Sequence, residues 1–382
     1  MKKIKLLLVF VFLLIFSHIT LADAMFSPTW GFFVDLPQGY YFEDGDGRDR
    51  FSFSGPEDLM FDLVIYNGQF NTMLDLVEDV NRRLQNQGDV DFFVYNDRQA
   101  AVIKLTFANY DGWGFAVELD AQSGARQGVL PMLIALSYSP VNSGDLSLFH
   151  LSALDSIAPS IAERFYPGPI TEYSYPRGEA QYVALVLDGV YAWIHENDAE
   201  AAQVMIEREF AVLRAYLNTA YLYDAFIRYY RFIYRDSFAR INDAVSVTMN
   251  YFNGHRNLND VEKRVFAQRV LSFIQGFEYE RDLSGSDFIN LVTTIVEGRG
   301  SCDNFSMLFA MILNNADIRS AMMLSPYYGH AMGLVDITGS GARFDDPYGT
   351  RWLVAETTAK IDIGLIAQDE SDPQHWFVIL LE

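Results

Sequence analysis

Between residues 30 and 159, short runs of alternating apolar and polar residues are separated by clusters rich in Gly, Asp, Asn and Pro. That is the pattern of strands joined by turns. GFFVDLP and FDLVIYNG flank the turn-rich DGDGRDRFSFSGPED. One stretch has a helical period instead: Met73, Val77, Val80 and Leu84 share a face, with Asn71 or Thr72 placed to cap it. DFFVYND, QAAVIKLTFANYDGWGFAVELD and MLIALSYSP then read as a meander turning at Asp111-Gly112, and LFHLSALDSIAPS closes it as a short helix. One antiparallel sheet with helices packed on it is predicted.

Pro167, Gly168, Pro169, Pro176 and Gly178 punctuate a linker. VALVLDGVYAWI follows as a hairpin turning at Asp188-Gly189. Asn197 and Glu200 are spaced as a capping box that opens a long helical region to about Phe252. Its many Tyr and Phe residues, interleaved with Arg, are expected to pack between helices. A second capping box, Asn259 with Glu262, starts another helix, and Ser286 is placed to cap the next, which Gly298 stops.

VEGRGSCDNFSMLFAMILNN comes next and holds Cys302, the only cysteine of the chain. Phe305, Leu308, Phe309, Ile312 and Leu313 fall at helical spacing, so Cys302 stands at the start of a helix entered through Gly298 and Gly300. Unpaired N–H groups and the positive end of the helix dipole favour a thiolate at such a position. A nucleophile needs a base, and the base needs an orienting acceptor. SAMMLSPYYGHAMGLVDI reads as two strands, with His330 at the start of the second. GARFDDPYGTRWLVAETTAK reads as a hairpin turning over 347–350, with Glu356 at the end of its second strand. Neighbouring antiparallel strands would set His330 opposite Glu356 under the helix of Cys302.

These features, in this order, resemble the transglutaminase-like superfamily, which shares its catalytic logic with papain-type cysteine peptidases. The resemblance covers roughly 261–366: a lead-in ending SFIQGFEYERD, then GRGSCDN, GHA and WLVAETT. It implies Cys302 as nucleophile, His330 as general base and acid, and Glu356 as the residue that holds the imidazole. Gln275 matches a glutamine of the bacterial lead-in. Three positions depart from the pattern: Asn304 replaces the second of an acidic pair, Glu356 stands where aspartate is commoner, and Met332 stands where tryptophan often follows the histidine-alanine pair. The segment before the linker resembles the PsbP/Mog1-like fold in pattern alone. The expected class is therefore α+β throughout, with a leader over 1–24, an α+β unit over 25–165, a hairpin and aromatic helical region over 170–255, and a papain/transglutaminase-like core over 256–382.

Charge and composition narrow the partners. Lys2, Lys3 and Lys5 precede an apolar run from Leu6 to Phe16 and a small-residue site at Ala22-Asp23-Ala24, the pattern of an export signal too short to span a bilayer. The protein is expected in the periplasm or outside the cell, without stable membrane insertion after cleavage. A net charge of −22 disfavours nucleic acid as a partner. A lone cysteine cannot form a disulfide within the chain, which leaves Cys302 buried and inert or free for chemistry. DGDGRD begins like a calcium loop, but Arg48 stands at the third ligand position and Gly55 where the bidentate Glu belongs. GRGSCD lacks the last glycine of a dinucleotide loop. His150, His195, His255 and His375 are scattered singly and read as structural, so no metal and no cofactor are expected.

The expected function is cofactor-independent acyl transfer on a peptide or protein through a thioester, as a peptidase or amidase rather than a crosslinking transglutaminase. The rival reading is a non-catalytic envelope scaffold whose N-terminal domain recruits a protein partner.

Overall fold

The computed structural model describes residues 24–121, 129–281 and 285–381, so all of the expected leader but Ala24 lies outside the described residues. The architecture is mixed α+β. Seven antiparallel strands form the first sheet, in the order Tyr41–Gly45, Arg50–Ser54, Met60–Tyr66, Met132–Pro140, Tyr110–Glu118, Arg98–Phe107, Val90–Tyr95. Alternation along its strands sorts side chains between two cores. Phe61, Leu63 and Ile65 pack with Trp30, Phe32, Leu154 and Ile157 on one face. On the other, Leu76 and Val77 of helix Met73–Leu84 cover Ile103, Leu105, Ala116 and Ile134. Thr72 caps that helix in a capping box with Asp75.

Several local expectations are corrected. The turn expected at Asp111-Gly112 lies at Ala108-Asn109, with Ala108 at φ +49. Gly112 is inside the strand, where a Cβ would come within 2.1 Å of the Ser137 carbonyl oxygen. The glycine serves close strand approach and not a turn. DGDGRD joins the Tyr41–Gly45 and Arg50–Ser54 strands, with Asp46 Oδ1 accepting from the backbone N–H of Arg48, Asp49 and Arg50 at 2.9, 2.7 and 2.9 Å. The punctuated stretch after Pro167 forms a short helix, Pro169–Ser174. It docks on the buried Asp155, whose Oδ1 accepts from the N–H of Ile170 and Thr171, both at 2.8 Å.

The hairpin Ala180–Ala184 with Tyr191–His195 turns at Asp188-Gly189, Gly189 having φ +72. Two helices follow where one long region was expected, Asp198–Ala215 and Leu222–Tyr251. Asn197 makes no capping box: its side-chain amide donates to the Pro176 carbonyl at 2.7 Å. Asp198 is buried against Arg177 and Arg240. The aromatic helix is interior, with Tyr229, Tyr230, Phe232 and Tyr234 buried. Its arginines reach the first sheet unit: Arg231 pairs with Asp35 at 2.7 Å, and Arg235 donates to the Ser156 and Ile157 carbonyls at 2.6 and 2.9 Å.

The second sheet has five antiparallel strands, in the order Arg343–Asp345, Arg351–Ala355, His330–Val335, Ser320–Ser325, Phe377–Ile379. Helix Cys302–Asn315 lies on it, close enough that a Cβ on Gly333 would come within 2.6 Å of the Phe309 ring. One cluster of buried side chains runs from Leu185 to Leu381 and joins the hairpin, the helices and this sheet. Among the described residues no helix is long and apolar enough to cross a membrane.

Candidate active site

Helix Leu291–Glu297 is capped by the Asn290 side chain, which accepts from Thr293 N–H at 2.9 Å. The expected cap, Ser286, instead accepts from Phe288 N–H and bonds the Tyr229 hydroxyl. Gly298, at φ +69, ends the helix in the left-handed conformation that glycine adopts without strain. Arg299-Gly300 then pairs in parallel with Glu278-Tyr279, and Cys302 is the first residue of the next helix. Asn304 locks this entry. Its Oδ1 accepts from Ser301 N–H and Ser301 Oγ, both at 3.0 Å, while its amide donates to the Ile289 carbonyl. A carboxylate has no donor for that last bond, which explains asparagine where an acid is expected.

His330 begins the middle strand and Glu356 directly follows the strand beside it. His330 Nε2 and Glu356 Oε2 are 2.8 Å apart. The imidazole and the Cys302 thiol line the same cavity, and the thiol is among the groups that raise the pKa of the ring. With Nε2 engaged by Glu356, Nδ1 is the nitrogen left for proton exchange with the thiol. The three residues singled out in the sequence therefore meet in one place, in the order thiol, imidazole, carboxylate.

Further contacts fix this row. Glu356 Oε1 accepts from Thr358 N–H at 2.7 Å and Thr358 Oγ1 at 2.6 Å, which leaves Oε2 for the histidine. Gln275 Nε2 donates to the carbonyls of Glu356 and Ile361 at 2.8 and 2.9 Å. It holds the backbone beneath Glu356. Trp376 packs edge-on near His330, ring centres 6.1 Å apart, and is anchored by its Nε1–H on the Glu370 carbonyl at 2.8 Å. Met332 packs in a buried cluster with Trp352, so an aromatic neighbour of His330 is supplied by a later segment. Trp376 lies 46 residues from His330 in sequence, with no motif around it to mark it.

The electrostatics follow from burial and pairing. Burial alone would lower the pKa of His330, but Cys302 and Glu356 outweigh it and push it up to about 10. Burial raises Glu356, and His330 with Thr358 more than reverses this, so its carboxyl sits below its ordinary value. Asp303, whose Oδ1 is 3.9 Å from Cys302 Sγ, is raised to about 6 by burial and by Asp287, against the Tyr230 hydrogen bond and the charges of His330 and Arg281. Tyr279 is pushed up to about 12 by burial and by the nearby Cys302.

A cavity of about 230 Å³ opens beside the sulfur, walled by Phe210, Phe226, Tyr229, Tyr230, Phe288 and Leu324 and reached by Arg281, Asp287, Asp303 and His330. Phe226, Tyr229 and Tyr230 belong to the aromatic helix and thus serve both core and cavity. Among the described residues, one group of side chains could converge on a metal ion: His330, Glu356 and Glu370, with ligand atoms within 4.8 Å of one another. Two of the three are already bonded to each other.

No family model matches the chain, and no curated protein matches it. Two solved structures are similar at low level. One, from Bacteroides thetaiotaomicron VPI-5482, is 9% identical with a TM-score of 0.24, covering 61% of this chain and 80% of its own. The other, a candidate cysteine protease from Cytophaga hutchinsonii, is 10% identical with a TM-score of 0.24, covering 83% of this chain and 73% of its own. At such scores neither likeness bears on this chain's activity, and neither speaks to the PsbP/Mog1 resemblance.

Proposed function

We propose that the protein is an exported, cysteine-dependent acyl-transfer enzyme of transglutaminase-like type, a peptidase or amidase acting on a peptide or protein. One observation carries the reading: the chain's only thiol, at a helix N-terminus, shares a cavity with an imidazole whose other side is held by a carboxylate 2.8 Å away. His330 Nδ1 takes the Cys302 proton, and the sulfur attacks an amide carbonyl carbon. The N–H of Cys302, in the first turn and without an intrahelical acceptor, is the donor assigned here to the resulting oxyanion. His330 returns its proton to the leaving amine nitrogen as the C–N bond breaks, and a thioester remains on Cys302. Water, deprotonated by His330, then attacks the thioester carbonyl; the C–S bond breaks and the acid departs. Glu356 stabilises the imidazolium formed in both halves.

The test is turnover of a fluorogenic peptide and protein substrate panel by wild type, Cys302→Ala and His330→Ala, with intact-mass detection of an acyl-enzyme. Loss of turnover in both folded variants, with a Cys302-linked acyl mass in wild type, is expected. Turnover that persists in Cys302→Ala would sink the proposal, and dependence on an added amine would shift it to crosslinking. The 2% exposure of Cys302 favours the rival scaffold reading. That reading requires a thiol that alkylates only after unfolding.

A further inference from the structure

The cavity beside the sulfur has a charge imbalance. Five groups face it that carry or can carry charge: Cys302, His330, Arg281, Asp287 and Asp303. Arg281 Nε pairs with Asp287 at 2.5 Å, and the Cys302–His330 couple is neutral overall whichever partner holds the proton. Among the described residues Asp303 makes no ion pair, although the charges of His330 and Arg281 reach it. Its Oδ2 accepts only a neutral hydroxyl hydrogen bond, from Tyr230 at 3.0 Å, and its Oδ1 is 3.9 Å from the sulfur. A carboxylate there opposes the negative charge that develops on the thiol, which is a poor arrangement unless something positive completes it.

The walls say what that something is. Ring faces of Phe and Tyr attract organic cations, and their apolar edges accommodate methylene stems. At about 230 Å³ the space suits one side chain and not a larger ligand. A bare metal ion fits poorly: among the described residues Asp303 belongs to no group of three converging ligands. Hard cations demand several oxygen ligands.

We infer that this cavity is the specificity pocket for a cationic side chain, ammonium or guanidinium on an aliphatic stem, with Asp303 as its counter-ion and the rings of Tyr229, Tyr230, Phe226 and Phe288 as its walls. The inference rests on the acyl-transfer reading for its meaning, since it places a basic residue of the substrate next to the scissile bond. A bound cation at Asp303 also removes the carboxylate's opposition to the thiolate, so a basic substrate favours its own attack.

The experiment reads charge preference without needing turnover. Native protein is treated with 2-aminoethyl methanethiosulfonate and 2-sulfonatoethyl methanethiosulfonate; in each, the thiolate attacks the thiosulfonate sulfur, a mixed disulfide forms and methanesulfinate leaves. Intact mass gives both rates. The ratio of cationic to anionic rate in wild type should exceed that of free cysteine by about ten-fold, the effect of one unit charge a few ångströms away in partly solvated surroundings. In Asp303→Asn it should fall to the free-cysteine ratio. Any change the variant makes in the thiolate fraction is common to both reagents and cancels. An unbiased ratio in wild type overturns the inference before any variant is made, as does an equal bias in Asp303→Asn. Failure of both reagents to react overturns it too, because a pocket closed to a two-carbon cation cannot seat a lysyl side chain. A protein that hydrolyses nothing yet shows the Asp303-dependent bias would fail the acyl-transfer reading alone.

Discussion

Replacing Glu356 by Gln keeps the shape beside His330 and removes the charge. The pair is 2.8 Å apart, and both side chains are largely shielded from water. A charge-assisted hydrogen bond in such surroundings is worth about 1.5–3 kcal/mol. At 1.36 kcal/mol per pKa unit this corresponds to about one to two units. His330 is held up to about 10, so Glu356→Gln should bring its titration down to about 8–9. The direction is reinforced by the amide, whose N–H bonds a neutral ring nitrogen better than a protonated one. Because the folded pKa exceeds the ordinary 6.5, folding takes up a proton between the two values. Stability from the imidazolium is complete below pH 6.5 and is lost as pH rises through about 10. In the variant that loss should come one to two units earlier, by the same linkage, roughly. Two measurements check this: the Cε1–H NMR titration of 13C-histidine protein, assigned with a His330 variant, and urea unfolding across the same pH range. An unchanged His330 midpoint in Glu356→Gln, or a wild-type midpoint near 6.5, would refute the electrostatic reasoning.

Three further outcomes follow from single contacts. Gln275→Ala strips the side-chain donor from the carbonyls of Glu356 and Ile361, so it should cost about 1–3 kcal/mol in urea unfolding and slow Cys302 alkylation. A variant with wild-type stability and rate would show that Gln275 does not hold the carboxylate. Gly333→Ala pushes a methyl group to 2.6 Å from the Phe309 ring, and overpacking of this kind costs about 1–3 kcal/mol, read as a lowered Tm. Arg240→Ala leaves Asp236 buried with an uncompensated charge and Asp198 with Arg177 alone, which should destabilise by about 3–5 kcal/mol in chemical denaturation. Arg240 bonds Asp236 through Nε and Nη2 at 2.8 and 2.9 Å, so Arg240→Lys should recover only part of this.

The chain's local text determined its α+β class, the helix of Met73–Leu84, the Asp188-Gly189 hairpin, the Asn259 capping box and the placing of Cys302 on the first turn of a helix. Each depends on residues within a few positions of one another: apolar periods, side-chain caps and glycines that permit a positive φ. The candidate triad was legible because thiol, imidazole and carboxylate each sit at an element boundary, and the strands carrying the last two pair directly.

Only the tertiary structure decided the rest. Asp111-Gly112 has the composition of a turn, yet Gly112 is consumed by a neighbouring strand that permits no Cβ. Asn197 and Ser286 have the spacing of caps, but distant partners, Pro176 and Tyr229, take their side chains. Side chains of this type can bond local backbone or other groups, and here the tertiary neighbours settle the choice. The surroundings of Cys302 follow the same logic. Tyr230, Tyr279 and Trp376 come from three separate segments, and no spacing announces that they will surround one sulfur and one imidazole. Sequence spacing encodes what the backbone can do within a turn or two. The charge and shape of the cavity arise from side chains brought together by packing, so they exist only once the fold has formed.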